Sequence, residues 1–202
     1  MGVYVTKPAW QRALHPIVAV CVRYRVHPDV FTCGALILSV VAASALVQAG
    51  SNRSWLWLVP PCVLLRLISN LMDGLVARAR GLADSWGEVK NEFGDRIADA
   101  LIFLGLGYAG YTEARLVEVV IALVLLVSYL GILGKTVGGS RVYTGAFGKG
   151  DRMLSLAGFT FYPLLSGNLT SFNWYLEFSI LAATLTIVQR LRSIYVYAQS
   201  SH

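Results

Sequence analysis

Asn70-Leu71-Met72-Asp73-Gly74-Leu75-Val76-Ala77-Arg78, followed after eight residues by Gly87-x-x-x-Asn91-x-x-x-Asp95, sets polar oxygens at helical spacing inside an otherwise apolar chain. Positions 70, 73 and 77 lie three and four apart, as do 91, 95 and Asp99, so each set falls along one face of a helix. Polar groups in an apolar surrounding are expensive, and their concentration in one stretch marks it as a candidate site. Two such faces turned toward each other make a pocket of oxygen ligands.

Outward from this stretch the chain is a series of apolar runs. Its 202 residues are 56% hydrophobic and 14% charged, and mean hydropathy is +0.61, a composition of polytopic membrane proteins. The runs are 30–49, 55–76, 97–111, 116–133, 153–166 and 174–187, near or extensible to the ~20 residues that cross the hydrocarbon. They predict an all-α integral membrane protein with six transmembrane helices in one domain, 1–202. Residues 9–24 mix Trp10, Leu14, Ile17 and Val18 with Arg12 and Arg23, the pattern of an interfacial amphipathic helix.

The net charge of +6 comes from 17 Lys+Arg against 11 Asp+Glu. With the N-terminus inside, one side collects nearly all of these cations, among them Arg78, Lys90, Lys135, Arg141, Lys149, Arg152, Arg190 and Arg192. The other side keeps Arg53 and Arg115. The positive-inside rule then puts both termini in the cytoplasm. A basic chain also raises nucleic-acid binding, but no soluble domain carries a groove or stacking platform, so no nucleic-acid partner is expected. The cations suit membrane lipid headgroups and phosphorylated substrates. Cys21, Cys33 and Cys62 form no Cys-x-x-Cys pair and read as apolar packing residues. No cleavable signal peptide is visible, and the myristoylation-like start at Met1-Gly2 reads as chance.

Between the motif halves, Asp84 and Ser85 are positioned to cap the second helix, which makes the two halves an antiparallel pair. Arg66, one turn before Asn70, either pairs with Asp73 or approaches the site. Asp29 reads as a cap for the first span. The longest cytoplasmic link runs from Lys135 through Gly138-Gly139, Arg141 and Gly145 to Gly148-Lys149-Gly150-Asp151-Arg152. Its glycines free backbone amides, and Lys149 and Arg152 at a helix start suit a phosphate.

Carboxylate and amide oxygens on facing helices, with arginine and small residues between, suit hard divalent ions that bridge a pyrophosphate. Gly74 and Ala77 let a nucleotide approach the backbone, Arg78 neutralises phosphate, and an Asp beside the ions takes a proton from an attacking hydroxyl.

These residues resemble the CDP-alcohol phosphotransferases, whose signature is Asp-x-x-Asp-Gly-x-x-Ala-Arg, eight or nine residues, then Gly-x-x-x-Asp-x-x-x-Asp. The spacing matches throughout, with identity at Asp73, Gly74, Ala77, Arg78, Gly87 and Asp95. Pro28 and Thr32 at the first span, beside Asp29, and Gly148-Lys149 extend the likeness over the chain. The resemblance implies a homodimer with the site just inside the cytoplasmic leaflet, and the minimal loops suit a bacterial inner membrane. It implies Mg²⁺ or Mn²⁺, with Asp95 as general base and Asn70, Asp73 and Asn91 at the metal positions. Pro28, Asp29, Thr32, Asp73, Gly74, Ala77, Arg78 and Gly87 then hold the CDP-alcohol donor, with CDP-diacylglycerol as the expected donor and CMP as the group released. Lys149 and Arg152, with Arg190 or Arg192, suit a phosphorylated alcohol acceptor.

The chain departs from the signature at Asn70 and Asn91, which halve the formal charge of the four positions. Along the helix, Asp99 is one turn beyond Asp95 and is expected to add metal-binding charge, whereas Glu92 points about 100° away from Asn91. The alternative to an enzyme of phospholipid synthesis is a catalytically impaired relative that binds nucleotide or lipid, or scaffolds a partner. A transporter fits less well, because the acids crowd toward one face, and Gly74-x-x-Ala77-Arg78 has no role in a prenyltransferase.

Overall fold

The structure is a computed structural model that describes residues 7–136 and 141–200, with side chains described for 12–136 and 141–199. Met1-Gly2 and Gly138-Gly139 lie outside the described residues. Seven α-helices run in order: α1 (Lys7–Arg23), α2 (Asp29–Gln48), α3 (Val59–Ala79), α4 (Ser85–Gly107), α5 (Ala114–Leu133), α6 (Lys149–Ser166) and α7 (Phe172–Ser200). Short 3₁₀ turns, Arg53–Leu58 and Leu169–Ser171, lead into α3 and α7. Among the described residues every regular element is helical.

Among the described residues, four stretches are long and apolar enough to cross a membrane: Asp29–Gln48, Arg53–Ala79, Ala114–Leu133 and Leu169–Gln199. The other two expected spans fall on α4 and α6. Both are continuous helices, but α4 carries Glu88, Lys90, Glu92, Asp95, Arg96 and Asp99, and α6 begins at Lys149 with Asp151 and Arg152. Their charged halves form the candidate site, which is why apolarity alone does not mark them.

Packing follows small residues. The buried face of α2 is Ala35, Ser39, Ala42 and Ala45, repeating every three or four positions, and it lets α3 and α4 both pack against α2. A Cβ added at Gly105 of α4 would lie 2.7 Å from the Ala43 Cα, so glycine sets this close approach. The main core joins Leu46, Ile102, Phe103, Leu106, Val120, Val124, Leu156 and Leu176. At the end away from the motif, the Tyr111 hydroxyl donates to Leu46 O at 2.7 Å.

Residues 9–24 fall on α1, whose Leu14, Val18 and Cys21 pack against Met72 and Val76 of α3. Ile17 and Val20 stay exposed on its other side. The Arg80 guanidinium donates to Arg25 O and Val26 O at 2.9 and 2.8 Å, which ties the link after α1 to the end of α3. All three cysteines are free; Cys21 and Cys62 are buried and Cys33 is exposed.

Candidate active site

Helix α3 ends at Gly81, which takes the left-handed conformation (φ 66°) that reverses the chain. Asp84 then caps α4: its Oδ1 accepts from Gly87 N at 2.6 Å. The motif halves are thus joined by a tight turn, as the sequence implies. They do not form a packed pair, however, because α3 and α4 each pack on α2 instead of on one another. The separation leaves room between them.

That room is a cavity of about 380 Å³, walled by α3, α4, the α5–α6 loop and the start of α6. Its polar wall carries Asn70, Asp73, Gly74, Arg78, Asn91, Glu92, Asp95, Arg141, Tyr143 and Lys149, while Leu64, Leu67, Ile68, Leu71 and Leu154 form an apolar wall. On α3 the polar lining runs from Asn70 to Arg78 toward the turn, and Leu64, Leu67 and Ile68 lie up to two turns further back along the helix. One cavity therefore offers charge at one end and a hydrocarbon surface at the other.

Asp73 and Asp95 are nearly buried, at 5% and 7% exposure. Thr32 donates from Oγ1 to Asp73 Oδ2 at 3.3 Å. The Lys149 ammonium is bonded to Asp95 Oδ1, and Arg96 lies 3.8 Å from Asp95 Oδ2. Asn70 Nδ2 and Asn91 Oδ1 are buried with no hydrogen-bond partner. Buried polar groups normally find partners, so these two amides on the cavity wall are set for a group that enters it. Gly74 gives Arg78 its place, since a Cβ there would stand 3.3 Å from the Arg78 Nη1.

Several expected site residues lie elsewhere. Asp99 is fully buried and faces away from the cavity, with Oδ1 accepting from Arg66 and Oδ2 from Arg152, both at 2.6 Å. Asp99, expected as a metal ligand, and Arg152, expected as a phosphate contact, are each other's partner and lie outside the cavity lining. Arg66 pairs with Asp99, not Asp73, and also donates to Asp95 O at 3.3 Å. Arg152 donates to Phe147 O at 3.1 Å. The triad binds α3, α4 and α6 together directly behind Asp95 and Lys149.

Pro28 precedes α2 without a side-chain cap, and the Asp29 carboxylate is held by Lys90 of α4 at 2.6 and 2.7 Å. Asp29 therefore staples α2 to α4. Ala77 and Gly87 lie off the cavity wall, on helices that form it. Arg190 donates from Nε to Thr144 O at 2.9 Å and from Nη1 to Val127 O at 2.5 Å, which places it under the α5–α6 loop.

Three wall residues, Glu92, Arg141 and Tyr143, lie outside the expected site set. Glu92 reaches the cavity because the α5–α6 loop folds over that side of α4, where Arg141 pairs with Glu92 and stacks over Tyr143, 5.2 Å from the ring centre. Arg96 also contacts Glu92 at 3.4 Å. The spacing on α4 gave the correct angle between Asn91 and Glu92, but it held no signal for what lies opposite Glu92.

The donor set fits a hard divalent cation: two carboxylates, Asp73 and Asp95, and the unpartnered Asn91 carbonyl share one wall. Among the described residues no group of three His, Cys, Asp or Glu converges on one point, so amide oxygens have to complete the shell.

A family profile described as CDP-alcohol phosphatidyltransferase matches residues 25–191. Inner membrane protein YnbA of Escherichia coli (strain K12) is 32% identical over 154 residues, 76% of each chain. A phosphatidylinositol phosphate synthase of Cutibacterium acnes is 34% identical over 100 residues, 50% of this chain and 46% of that one. Among solved structures, Mycobacterium tuberculosis phosphatidylinositol phosphate synthase with CDP-DAG bound has a TM-score of 0.68 at 25% identity, covering 91% of this chain and 94% of that one. The same enzyme with manganese and citrate has a TM-score of 0.67 at 24% identity, covering 89% and 88%, a likeness of fold. The matched residues take in α2 through α6 and most of α7, with the whole cavity between them, and the chain belongs to the CDP-alcohol phosphatidyltransferase family.

Proposed function

We propose that the chain, as one domain over 1–202, transfers a phosphatidyl or phosphoalkyl group from a CDP-alcohol to an acceptor hydroxyl and releases CMP. CDP-diacylglycerol is the donor that fits. The observation that carries this reading is the two-ended cavity: carboxylates, Arg78 and Lys149 at one end, and Leu64, Leu67, Ile68 and Leu71 at the other. A donor with a charged pyrophosphate and two acyl chains needs both ends.

In this reading Asp95 takes the proton of the acceptor hydroxyl. The acceptor oxygen bonds to the phosphorus that carries the alcohol, the bond from that phosphorus to the bridging oxygen breaks, and CMP leaves with the electron pair. A divalent ion, Mg²⁺ or Mn²⁺, held by Asp73, Asn91, Asp95 and Asn70, supplies charge stabilisation on the phosphoryl oxygens. Arg78, next to Gly74, neutralises phosphate, and Lys149, seated on Asp95, adds a positive charge beside the incoming phosphate. The Arg66–Asp99–Arg152 triad holds Asp95 and Lys149 at fixed separation. Arg141 and Tyr143, on the loop over the cavity, face the acceptor.

The same reading places six spans in a bacterial inner membrane, with α1 at the interface, both termini and the cavity mouth toward the cytoplasm, and two chains per assembly. The catalytically impaired alternative draws on Asn70, Asn91 and the lysine seated on Asp95. Purified protein given labelled CDP-diacylglycerol, Mg²⁺ or Mn²⁺ and a panel of phosphorylated and uncharged alcohols separates the two readings. A labelled phosphodiester product with one of the acceptors is expected, and retention of all label in the donor across the panel favours the impaired relative.

A further inference from the structure

The charges around the cavity are balanced before anything enters it. Asp73, Glu92 and Asp95 supply three carboxylates, and Arg78, Arg141 and Lys149 supply three cations on the same wall. The two remaining polar positions that face the cavity from the motif are uncharged amides: Asn91 leaves its Oδ1 and Asn70 its Nδ2 buried without a partner. The acid beyond them, Asp99, is committed to Arg66 and Arg152 and adds nothing to the wall.

We propose that this site takes one divalent ion rather than a pair, and that the Lys149 ammonium supplies the second positive charge at Asp95. Three observations converge. Lys149 is seated on Asp95 Oδ1, the position that a second ion would have to share. Its side chain is 14% exposed, so its charge is weakly screened by water. Asn91 Oδ1, one turn before Asp95 on α4, is buried and without a partner, which leaves a hard acceptor for a single ion on the wall that also carries Asp73. A lone divalent ion brings the wall to a charge that a pyrophosphate cancels. A second ion would leave two uncompensated positive charges in a nearly dry site. This inference rests on the metal-assisted reading above and specifies how many ions that reading needs and which side chain stands in for the other.

The test is Mn²⁺ stoichiometry on the purified full chain in nanodiscs, by electron paramagnetic resonance and calorimetry, without substrate. One tight Mn²⁺ per chain is expected. Lys149→Gln, which removes the competing cation from Asp95, should tighten that ion by about tenfold or more. Asn70→Asp with Asn91→Asp adds two negative charges and should admit a second Mn²⁺; where the double variant fails to fold, Lys149→Gln alone gives the decision. Two ions or none in the unaltered chain, no tightening in Lys149→Gln, or a folded double variant that still takes one ion would each overturn the proposal. Because binding is read without turnover, a chain that binds one Mn²⁺ and releases no CMP refutes the enzymatic reading alone. A chain that binds two and releases CMP refutes this inference alone.

Discussion

Replacing Asp99 by Asn should destabilise the protein and leave metal binding intact. Asp99 is fully buried, with one carboxylate oxygen 2.6 Å from Arg66 and the other 2.6 Å from Arg152, both arginines themselves without exposure. Asparagine keeps the shape but removes the anion, leaving two buried guanidinium groups that repel each other. Removing one partner of a buried pair costs about 3–5 kcal/mol, and Asp99 here serves two. For a chain of this length that corresponds to a drop of about 6 to 20 °C in the unfolding midpoint. The assay is thermal unfolding in nanodiscs followed by circular dichroism, with Mn²⁺ affinity measured well below the lowered midpoint. An unchanged midpoint together with a weakened Mn²⁺ site would mean that Asp99 is a metal ligand after all, and would refute the reading of the triad as a structural clamp.

Three further outcomes are expected. Gly74→Ala should leave stability level or slightly raised, since alanine favours a helix, but its Cβ meets Arg78 Nη1 at 3.3 Å; displacing that guanidinium should raise the donor KM about tenfold, the worth of one charge-assisted hydrogen bond. Gly105→Ala places a methyl 2.7 Å from Ala43 Cα and 2.8 Å from Ala43 O, which should lower stability by about 1–3 kcal/mol in the same unfolding assay. Chelation of divalent ions should stop CMP release, and added Mn²⁺ should restore it, whereas activity that persists in chelator would remove the metal from the account.

Helices α2, α3, α5 and α7 were legible because their stretches are long and apolar enough to declare themselves, and the motif was legible because its residues repeat every three or four positions. What lies opposite a helix face was not. The spacing correctly placed Asp99 one turn beyond Asp95, yet it gave no view of Arg66 and Arg152, which arrive from two other helices and enclose it. Glu92 was set aside because it points away from Asn91, and that angle is real. It faces the cavity because a loop distant in sequence is fixed over it by Arg190, by the Thr186 hydroxyl accepting from Phe147 N at 3.0 Å, and by Gly145, whose positive φ (119°) lets the chain pass against Thr186. Such contacts depend on tertiary packing and leave no local pattern. The same holds for α4 and α6, whose charged halves hide their length from an apolarity test while supplying the polar wall.

Asp95, beside a divalent ion and the Arg78 and Lys149 cations, is expected to drive transfer from a CDP-alcohol. The most direct measurement is CMP release from CDP-diacylglycerol by the purified chain with Mn²⁺ and a hydroxyl acceptor, run beside Asp95→Asn at matched folding and matched Mn²⁺ occupancy. The account predicts CMP formed in step with phosphodiester product by the unaltered chain and none above background from Asp95→Asn. Equal CMP release by the two proteins would contradict it.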